Sequence, residues 1–209
     1  MISLFLNTSF NYLNIALVKN NSMIDQIYIK LDKDLSRLAL FNIKSLLDKN
    51  SLKPDMVDEV VCVRGPGSFT GLRVGATISK VFTYFLNKEL YSVSNLLVMA
   101  TSCSEDYIIP IIDARRGYVY GAIYDSNYNV ILEESYIKLD KLIDVVSSLD
   151  GKYCYVSYDN FENMNVLPYE PNIDNLYKNM KKNKEDPMTF VPNYLKKPEA
   201  EENFNGKKD

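Results

Sequence analysis

The residues of this sequence best suited to chemistry lie in one glycine-rich run, residues 64–75, with the sequence RGPGSFTGLRVG. An apolar stretch typical of a strand ends at Val63, and Gly65 and Gly67 permit a tight turn after it. Ser68 can then cap a helix, whose free backbone N–H groups are able to hold an anion. The run differs from a nucleotide P-loop because no Gly-Lys-Ser/Thr follows. Taken alone, it is better explained by a capped turn than by a phosphate cradle.

A second group of charged residues, Asp113, Arg115 and Arg116, lies between two apolar strand patterns. A hairpin turn stabilised by an Asp–Arg pair explains the group at least as well as a ligand site does. Asp113 is nevertheless the only carboxylate that the pattern places at a strand end suitable for phosphate chemistry. Three nearby tyrosines alternate along one strand and are interpreted as sheet surface or core, not as a base-stacking platform. They are Tyr118, Tyr120 and Tyr124.

The composition excludes several kinds of site. The 209 residues include no histidine, which removes imidazole acid/base catalysis, imidazole-activated nucleophiles and histidine metal sites. The net charge of -3 argues against a large direct nucleic-acid footprint, because such footprints depend on Lys and Arg. The three cysteines are predicted to be free thiols in a reducing cytoplasm. No basic leader and no run of eighteen apolar residues is present, so neither secretion nor membrane insertion is expected.

The elements that must position these residues form a repeated pattern. Three strands, a helix and a strand are predicted twice: at 2–7, 13–18, 23–31, 34–50 and 57–63, and again at 107–113, 117–124, 130–138, 140–149 and 153–158. This order is typical of the α/β actin-like, ribonuclease-H-like fold, a duplicated βββαβ unit in two lobes with the second lobe reduced. Residues 1–103 are predicted to form the first lobe and 104–198 the second. Residues 199–209 are predicted to be a disordered polar tail.

The helix predicted from Phe69 to about residue 87 is apolar on nearly every face. One side can pack on the sheet, but the opposite side then needs another cover. Gly71, Gly75 and Ser79 recur every four residues and predict a smooth strip that a second helix could approach closely. Enclosure within its own domain is the alternative. The small size of the chain favours a protein–protein interface instead.

Four stretches of this sequence resemble the TsaB (formerly YeaZ) family of tRNA threonylcarbamoyladenosine biosynthesis proteins. Three are Asn7-Thr8-Ser9, residues 112–120 (IDARRGYVY) and residues 192–201 (PNYLKKPEAE). The fourth is the long motif, with Asp113, Arg115 and Arg116 as further family-typical residues. Its members are Gly65, Pro66, Gly67, Ser68, Phe69, Thr70, Gly71, Leu72, Arg73 and Gly75. The four occur in the family's order, and the resemblance covers almost the whole chain.

The resemblance implies an actin-like, non-catalytic scaffold or activator in threonylcarbamoyladenosine (t6A) modification of tRNA. Its implied partners are a TsaD-like catalytic paralogue and a TsaE-like ATPase, with homodimers also known in the family. Contact with tRNA is implied only through the complex. No cofactor or metal of its own is implied, although ATP or ADP could sit at the interface with TsaD or TsaE. The partner interface would use the first-lobe helices, through Leu35, Leu38, Asn42, Leu46, Phe69, Gly71, Leu72, Gly75, Ala76 and Ser79.

One position departs from the family pattern. Asn7 stands where the family usually has an aspartate before Thr-Ser. A neutral amide cannot supply the negative charge that a magnesium-bound phosphate requires. No independent enzymatic activity is therefore expected, and a diverged actin-like ATPase or kinase that depends on Asp113 remains the alternative.

Overall fold

The computed structural model describes residues 1–31 and 34–196. Within them the chain forms two β-sheets, of six and five strands, and five α-helices. The strands are β1 Ile2–Asn7, β2 Tyr12–Lys19, β3 Ser22–Lys30, β4 Glu59–Gly65, β5 Glu89–Ser94, β6 Tyr107–Asp113, β7 Tyr118–Asp125, β8 Val130–Lys138, β9 Tyr153–Ser157, β10 Val166–Pro168 and β11 Asn183–Glu185. The helices are α1 Leu35–Lys49, α2 Phe69–Leu86, α3 Asn95–Ala100, α4 Leu139–Ser147 and α5 Ile173–Asn179.

The two sheets repeat one topology. The first has the order β11-β5-β4-β1-β2-β3 and the second the order β10-β9-β6-β7-β8. In each lobe the first three strands are antiparallel neighbours, and the strand after the helix pairs in parallel with the first strand. This arrangement confirms the predicted duplicated βββαβ unit and the actin-like fold class.

The sheets face each other across a shared apolar core. Phe5 and Val61 of the first sheet and Ile108 and Ile112 of the second are buried in it. Helix α3 lies between the sheets with all six of its residues buried. Helices α1 and α2 cover the outer face of the first sheet, while α4 covers the outer face of the second. The outer helices therefore each have one side turned to solvent.

The chain returns to the first lobe after residue 172, which corrects the predicted assignment of residues 104–198 to the second lobe. Strand β11 pairs with β5 at the edge of the first sheet. Tyr177 of α5 hydrogen-bonds Ser3 of β1, at 2.6 Å. Further on, the backbone N–H of Asn193 donates to the carbonyl of Arg64, at 2.7 Å. The polar sequence of β11 carries no strand signal, so the sequence pattern could not reveal this return.

The cysteines also differ from the prediction. Cys103, which follows α3, is joined to Cys154 of β9 by a disulfide, and Cys62 alone is a free, buried thiol. The prediction of three free thiols is therefore wrong for two of them, which are brought together across 51 residues of chain by the packing of α3 on the second sheet.

None of the helices in the described ranges is long and apolar enough to cross a membrane. The predicted polar tail, residues 199–209, lies outside the described residues.

Candidate docking face and interlobe turn

The glycine-rich run forms a capped turn between β4 and α2. The side chain of Ser68 accepts a hydrogen bond from the backbone N–H of Gly71, at 3.4 Å. The backbone N–H of Ser68 in turn donates to the carbonyl of Ser9, at 2.6 Å. The Ser68 cap confirms the capped-turn interpretation. The run also joins the start of α2 to the turn that follows β1, which the sequence interpretation did not include.

Three glycines of the motif permit this close approach. A Cβ on Gly67 would lie 2.3 Å from the carbonyl oxygen of Ser9, and one on Gly71 only 2.0 Å from that of Thr8. A Cβ on Gly75 would lie 2.4 Å from the Oγ1 of Thr8. Real Cβ atoms do not approach other atoms so closely, so the motif is explained by packing of α2 against the β1–β2 turn.

This packing corrects much of the predicted partner interface. The strip of small residues packs against its own chain, because Gly71 and Gly75 lie against Thr8 of the β1–β2 turn and Ser79 is fully buried. Six of the ten predicted residues are buried in this way: Leu46, Gly71, Leu72, Gly75, Ala76 and Ser79. Three others are half-buried: Leu35, Leu38 and Asn42. Of the ten, Phe69 alone is exposed, with 41% of its surface accessible.

The outer sides of α1 and α2 expose a set of large apolar side chains that shares only Phe69 with the predicted interface. We call these the docking face: Leu40, Phe41, Phe69, Val81 and Phe85. Phe85 is 78% exposed and Phe41 67% exposed. A groove of about 450 Å³ runs between the two helices, with Leu40 and Phe69 among its walls and Arg73 at its side. Four of the five were missed from sequence, because the prediction followed the packed stripe of α1 and the strip of small residues on α2.

The turn after β1 is closed by hydrogen bonds. The Oδ1 of Asn7 accepts from the backbone N–H of Ser9, at 2.9 Å, and its Nδ2 donates to Asn95 and to Tyr158, both at 3.3 Å. The hydroxyl of Tyr158 donates to Asn95, at 3.1 Å, and Asn95 donates to the carbonyl of Pro66, at 2.9 Å. Asn7 is only 3% exposed. Its amide is therefore committed to binding the two lobes together.

Aromatic rings seal the same turn from solvent. Tyr158 stacks on Phe10 with ring centroids 4.7 Å apart and contacts Tyr169 at the same distance. Tyr28 meets the edge of Tyr169, at 6.2 Å, and stacks on Tyr12, at 5.0 Å. Burial raises the pKa of Tyr158 well above its usual value, with the neighbouring Tyr169 contributing in the same direction. Side chains thus fill the space beside Asn7.

The tyrosine cluster should make this fold sensitive to alkali. Burial, and then the neighbouring Tyr12 and Glu170, raise the pKa of Tyr28 to about 12. In the unfolded chain a tyrosine ionises near pH ~10. The unfolded state therefore gains free energy by losing this proton between about pH 10 and 12, and stability falls over that interval. We expect Tyr28→Phe to reduce this fall, as measured by urea unfolding at pH 9, 10 and 11.

A matched control for this measurement is Tyr84→Phe, since the ring of Tyr84 is 57% exposed on α2. It should keep the pH dependence of the unmodified protein. If Tyr28→Phe and Tyr84→Phe lost stability equally above pH 10, the assignment of the effect to the buried cluster would be wrong.

The charged group after β6 is a tight turn. The backbone N–H of Arg115 donates to the Oδ1 of Asp113, at 2.8 Å, so the contact is made by the main chain and not by an ion pair. The backbone N–H of Asp113 donates to Asp159, at 3.0 Å. Burial, with a contribution from the charge of Asp113, raises the pKa of Asp159.

The two arginines of this turn, Arg115 and Arg116, have left-handed backbone conformations with φ of 67° and 55°, and both are exposed. In the described ranges, no group of three or more Cys, Asp or Glu is arranged to hold a metal ion.

Comparison with known proteins agrees with this architecture. A family model for TsaD, the tRNA N6-adenosine threonylcarbamoyltransferase, matches residues 30–191. The tRNA threonylcarbamoyladenosine biosynthesis protein TsaB of Bacillus subtilis is 29% identical over 164 residues, which cover 76% of this chain and 72% of the relative. The MG208 protein of Mycoplasma genitalium is 30% identical over 200 residues, which cover 93% of this chain and 95% of that protein.

Solved structures show the same fold. YeaZ from Pseudomonas aeruginosa superposes with a TM-score of 0.71 at 18% sequence identity, covering 93% of this chain and 99% of that one. A structure described as similar to peptidase YeaZ from the same organism gives a TM-score of 0.76 at 19% identity, with the same coverage. At these identities the likeness establishes the arrangement of the two lobes and nothing more.

Proposed function

This chain belongs to the TsaB (YeaZ) family, and from that membership we propose that it is the non-catalytic docking subunit of a t6A-forming complex. In this proposal the docking face binds a TsaD-like catalytic paralogue and supports its activity. A TsaE-like ATPase joins the pair, and tRNA contacts this chain only through the complex. Any ATP or ADP would sit at the interface with those partners, and a homodimer would use the same face when the paralogue is absent.

The observation that carries the proposal is the exposure of large apolar side chains on two neighbouring helices. Phe85, Phe41 and Leu40 are 78%, 67% and 57% exposed. Burying such a side chain contributes about 1.5–3 kcal/mol, so a set of this kind favours association with another protein. The cavity beside Leu40 and Phe69 gives a partner's side chains a place to insert.

The closed turn after β1 supports the absence of independent catalysis. An actin-like ATPase needs a carboxylate and open space at this turn, whereas Asn7 and Tyr158 fill it. The chain also has no histidine to serve as a base or metal ligand.

The alternative function is that of a diverged actin-like ATPase or kinase. The match to a transferase family model and the exposed carboxylate of Asp113 favour it.

An omission assay tests the proposal directly. The purified chain, a TsaD-like protein and a TsaE-like ATPase are combined with tRNA, ATP and the threonylcarbamoyl precursors, and t6A is measured with each protein left out in turn. We expect t6A to be lost without this chain, and this chain alone to form no t6A and to hydrolyse no ATP. Turnover by the isolated chain that disappears in Asp113→Ala would instead support the enzymatic alternative.

A further inference from the structure

The disulfide between Cys103 and Cys154 ties the end of the interlobe helix α3 to the second sheet. Cys103 lies in the turn just after α3, and Cys154 lies on β9 opposite Ile108 of β6. At the start of α3, Asn95 donates to the carbonyl of Pro66 in the glycine turn, at 2.9 Å. The helix is therefore held to the first lobe by a hydrogen bond at one end and to the second lobe by a covalent bond at the other.

The noncovalent contacts of Cys103 are weak beside this bond. Its carbonyl accepts a hydrogen bond from the hydroxyl of Tyr128 at 3.5 Å, which is long for a hydroxyl donor. Its backbone N–H donates to the carbonyl of Ala100, at 3.2 Å, within the last turn of α3 itself. Ser104 and Asp106, which follow it, are exposed. Breaking the disulfide therefore removes the main connection between Cys103 and the second sheet.

The bond lies within reach of a small thiol. Cys103 is half-buried, whereas Cys154 is only 8% exposed. An open cavity of about 540 Å³ lies beside them, with Glu105 and Cys154 among its lining residues. Disulfides with an accessible sulfur are the labile and regulatory ones, because exchange requires a thiolate to reach that sulfur. The more exposed Cys103 is therefore the sulfur at which an incoming thiolate attacks.

The third cysteine lies in a different environment. Cys62 is on β4 in the core beneath α2, where it is 1% exposed. Burial raises the pKa of its thiol to about 12, so the thiol stays protonated at neutral pH. Because the thiolate is the nucleophile in disulfide exchange, Cys62 does not compete for the bond. It provides an internal reference that should stay reduced while the other two cysteines change state.

We propose that Cys103 and Cys154 form a redox-sensitive latch between α3 and the second sheet, opened by low-molecular-weight thiols and closed by the corresponding disulfides. A small thiolate attacks the sulfur of Cys103, the Sγ–Sγ bond breaks, and Cys154 leaves as a thiolate that takes a proton from water. A second small thiolate attacks the mixed disulfide, releases a small-molecule disulfide and leaves Cys103 as a thiol. The two electrons that the cysteine pair gains are those that the two small thiols lose. The latch does not depend on the proposed docking function, because both cysteines belong to one chain and lie away from the docking face.

Amide hydrogen exchange and urea unfolding of the isolated chain, in oxidised and in reduced glutathione, test the proposal. We expect the reduced form to exchange faster at residues 101–106 and in β9, by a larger factor than in β1 and β4. Reduction should raise the equilibrium constant for unfolding at least ~30-fold, or ~2 kcal/mol, the lower end of what a native disulfide contributes. Peptide mapping without reductant should show the Cys103–Cys154 cross-link in the oxidised sample alone.

Two variants complete the test. Cys103→Ser/Cys154→Ser should behave as the reduced protein in both buffers, because it cannot form the bond. Cys62→Ala is the matched control and should keep the full difference between the buffers.

Three outcomes would overturn the latch. One is a bond that millimolar glutathione cannot reduce until the chain unfolds, since the disulfide would then be a fixed part of the fold. Another is equal exchange and equal stability of the oxidised and reduced forms. The third is a cross-link that includes Cys62.

Discussion

Replacing Leu40 and Phe85 together by glutamate is expected to weaken binding to a TsaD-like partner by at least about 100-fold. Both side chains are more than half exposed, at 57% and 78%, so little apolar contact within the chain is lost. Each change places a charge where the partner would have to bury it, and such central contacts typically contribute about 2 kcal/mol or more, or ~30-fold in affinity. Glutamate is a good helix former, so α1 and α2 should remain intact. Calorimetry with the purified partner measures the affinity.

Val145→Glu is the matched control for this experiment. Val145 is an apolar residue, 36% exposed, on α4 of the other lobe, so the substitution adds the same charge to the same kind of element far from the docking face. It should leave partner affinity and t6A formation unchanged. Undiminished pairing of the Leu40→Glu/Phe85→Glu variant, with unaltered unfolding, would mean that the partner binds elsewhere.

The fold could be predicted from sequence because its signals are local and repeated. Period-two apolar stretches, helix periodicity and turn residues mark each βββαβ unit, and the second copy of the pattern supports the first. The return of the chain to the first lobe could not be predicted in this way. Strand β11 has three polar residues, and its pairing with β5 is a contact across more than 90 residues of chain. Neither propensity nor periodicity reports contacts of that kind.

The interface predicted from sequence lies on helices α1 and α2, but most of its residues are turned inward, away from the proposed docking face. Helix α2 is apolar all round, so its periodicity does not distinguish the inward side from the outward side. Small residues every four positions permit close approach to any neighbour, and sequence alone cannot say whether that neighbour is a partner helix or the sheet. Here it is the β1–β2 turn at Thr8, which lies 63 residues before Gly71 in the chain. Only the tertiary contacts therefore show which neighbour the small residues of α2 pack against.

The same contact makes Gly71→Ala a decisive substitution. An alanine Cβ would lie 2.0 Å from the carbonyl oxygen of Thr8, and the side chain of Thr8 also donates to the carbonyl of Gly71, at 2.8 Å. The carbonyl belongs to the backbone and cannot move alone, so the helix start and the turn would have to separate and this hydrogen bond would be strained. Overpacking of this kind costs about 1–3 kcal/mol and occasionally more, against a helix-propensity gain of roughly 1 kcal/mol. Because the clash is with backbone, we expect a cost at the upper end of this range and a net loss of about 2 kcal/mol in the free energy of unfolding.

Urea unfolding of Gly71→Ala beside Thr77→Ala separates the two explanations of the motif. Thr77 is exposed on the outer side of the same helix, so its replacement should change stability by less than about 0.5 kcal/mol. If the glycines serve packing within the chain, Gly71→Ala loses stability before any partner is added. If they instead form a smooth strip for a partner helix, it keeps its stability and loses only partner affinity. The second result would return the small residues of α2 to the partner interface.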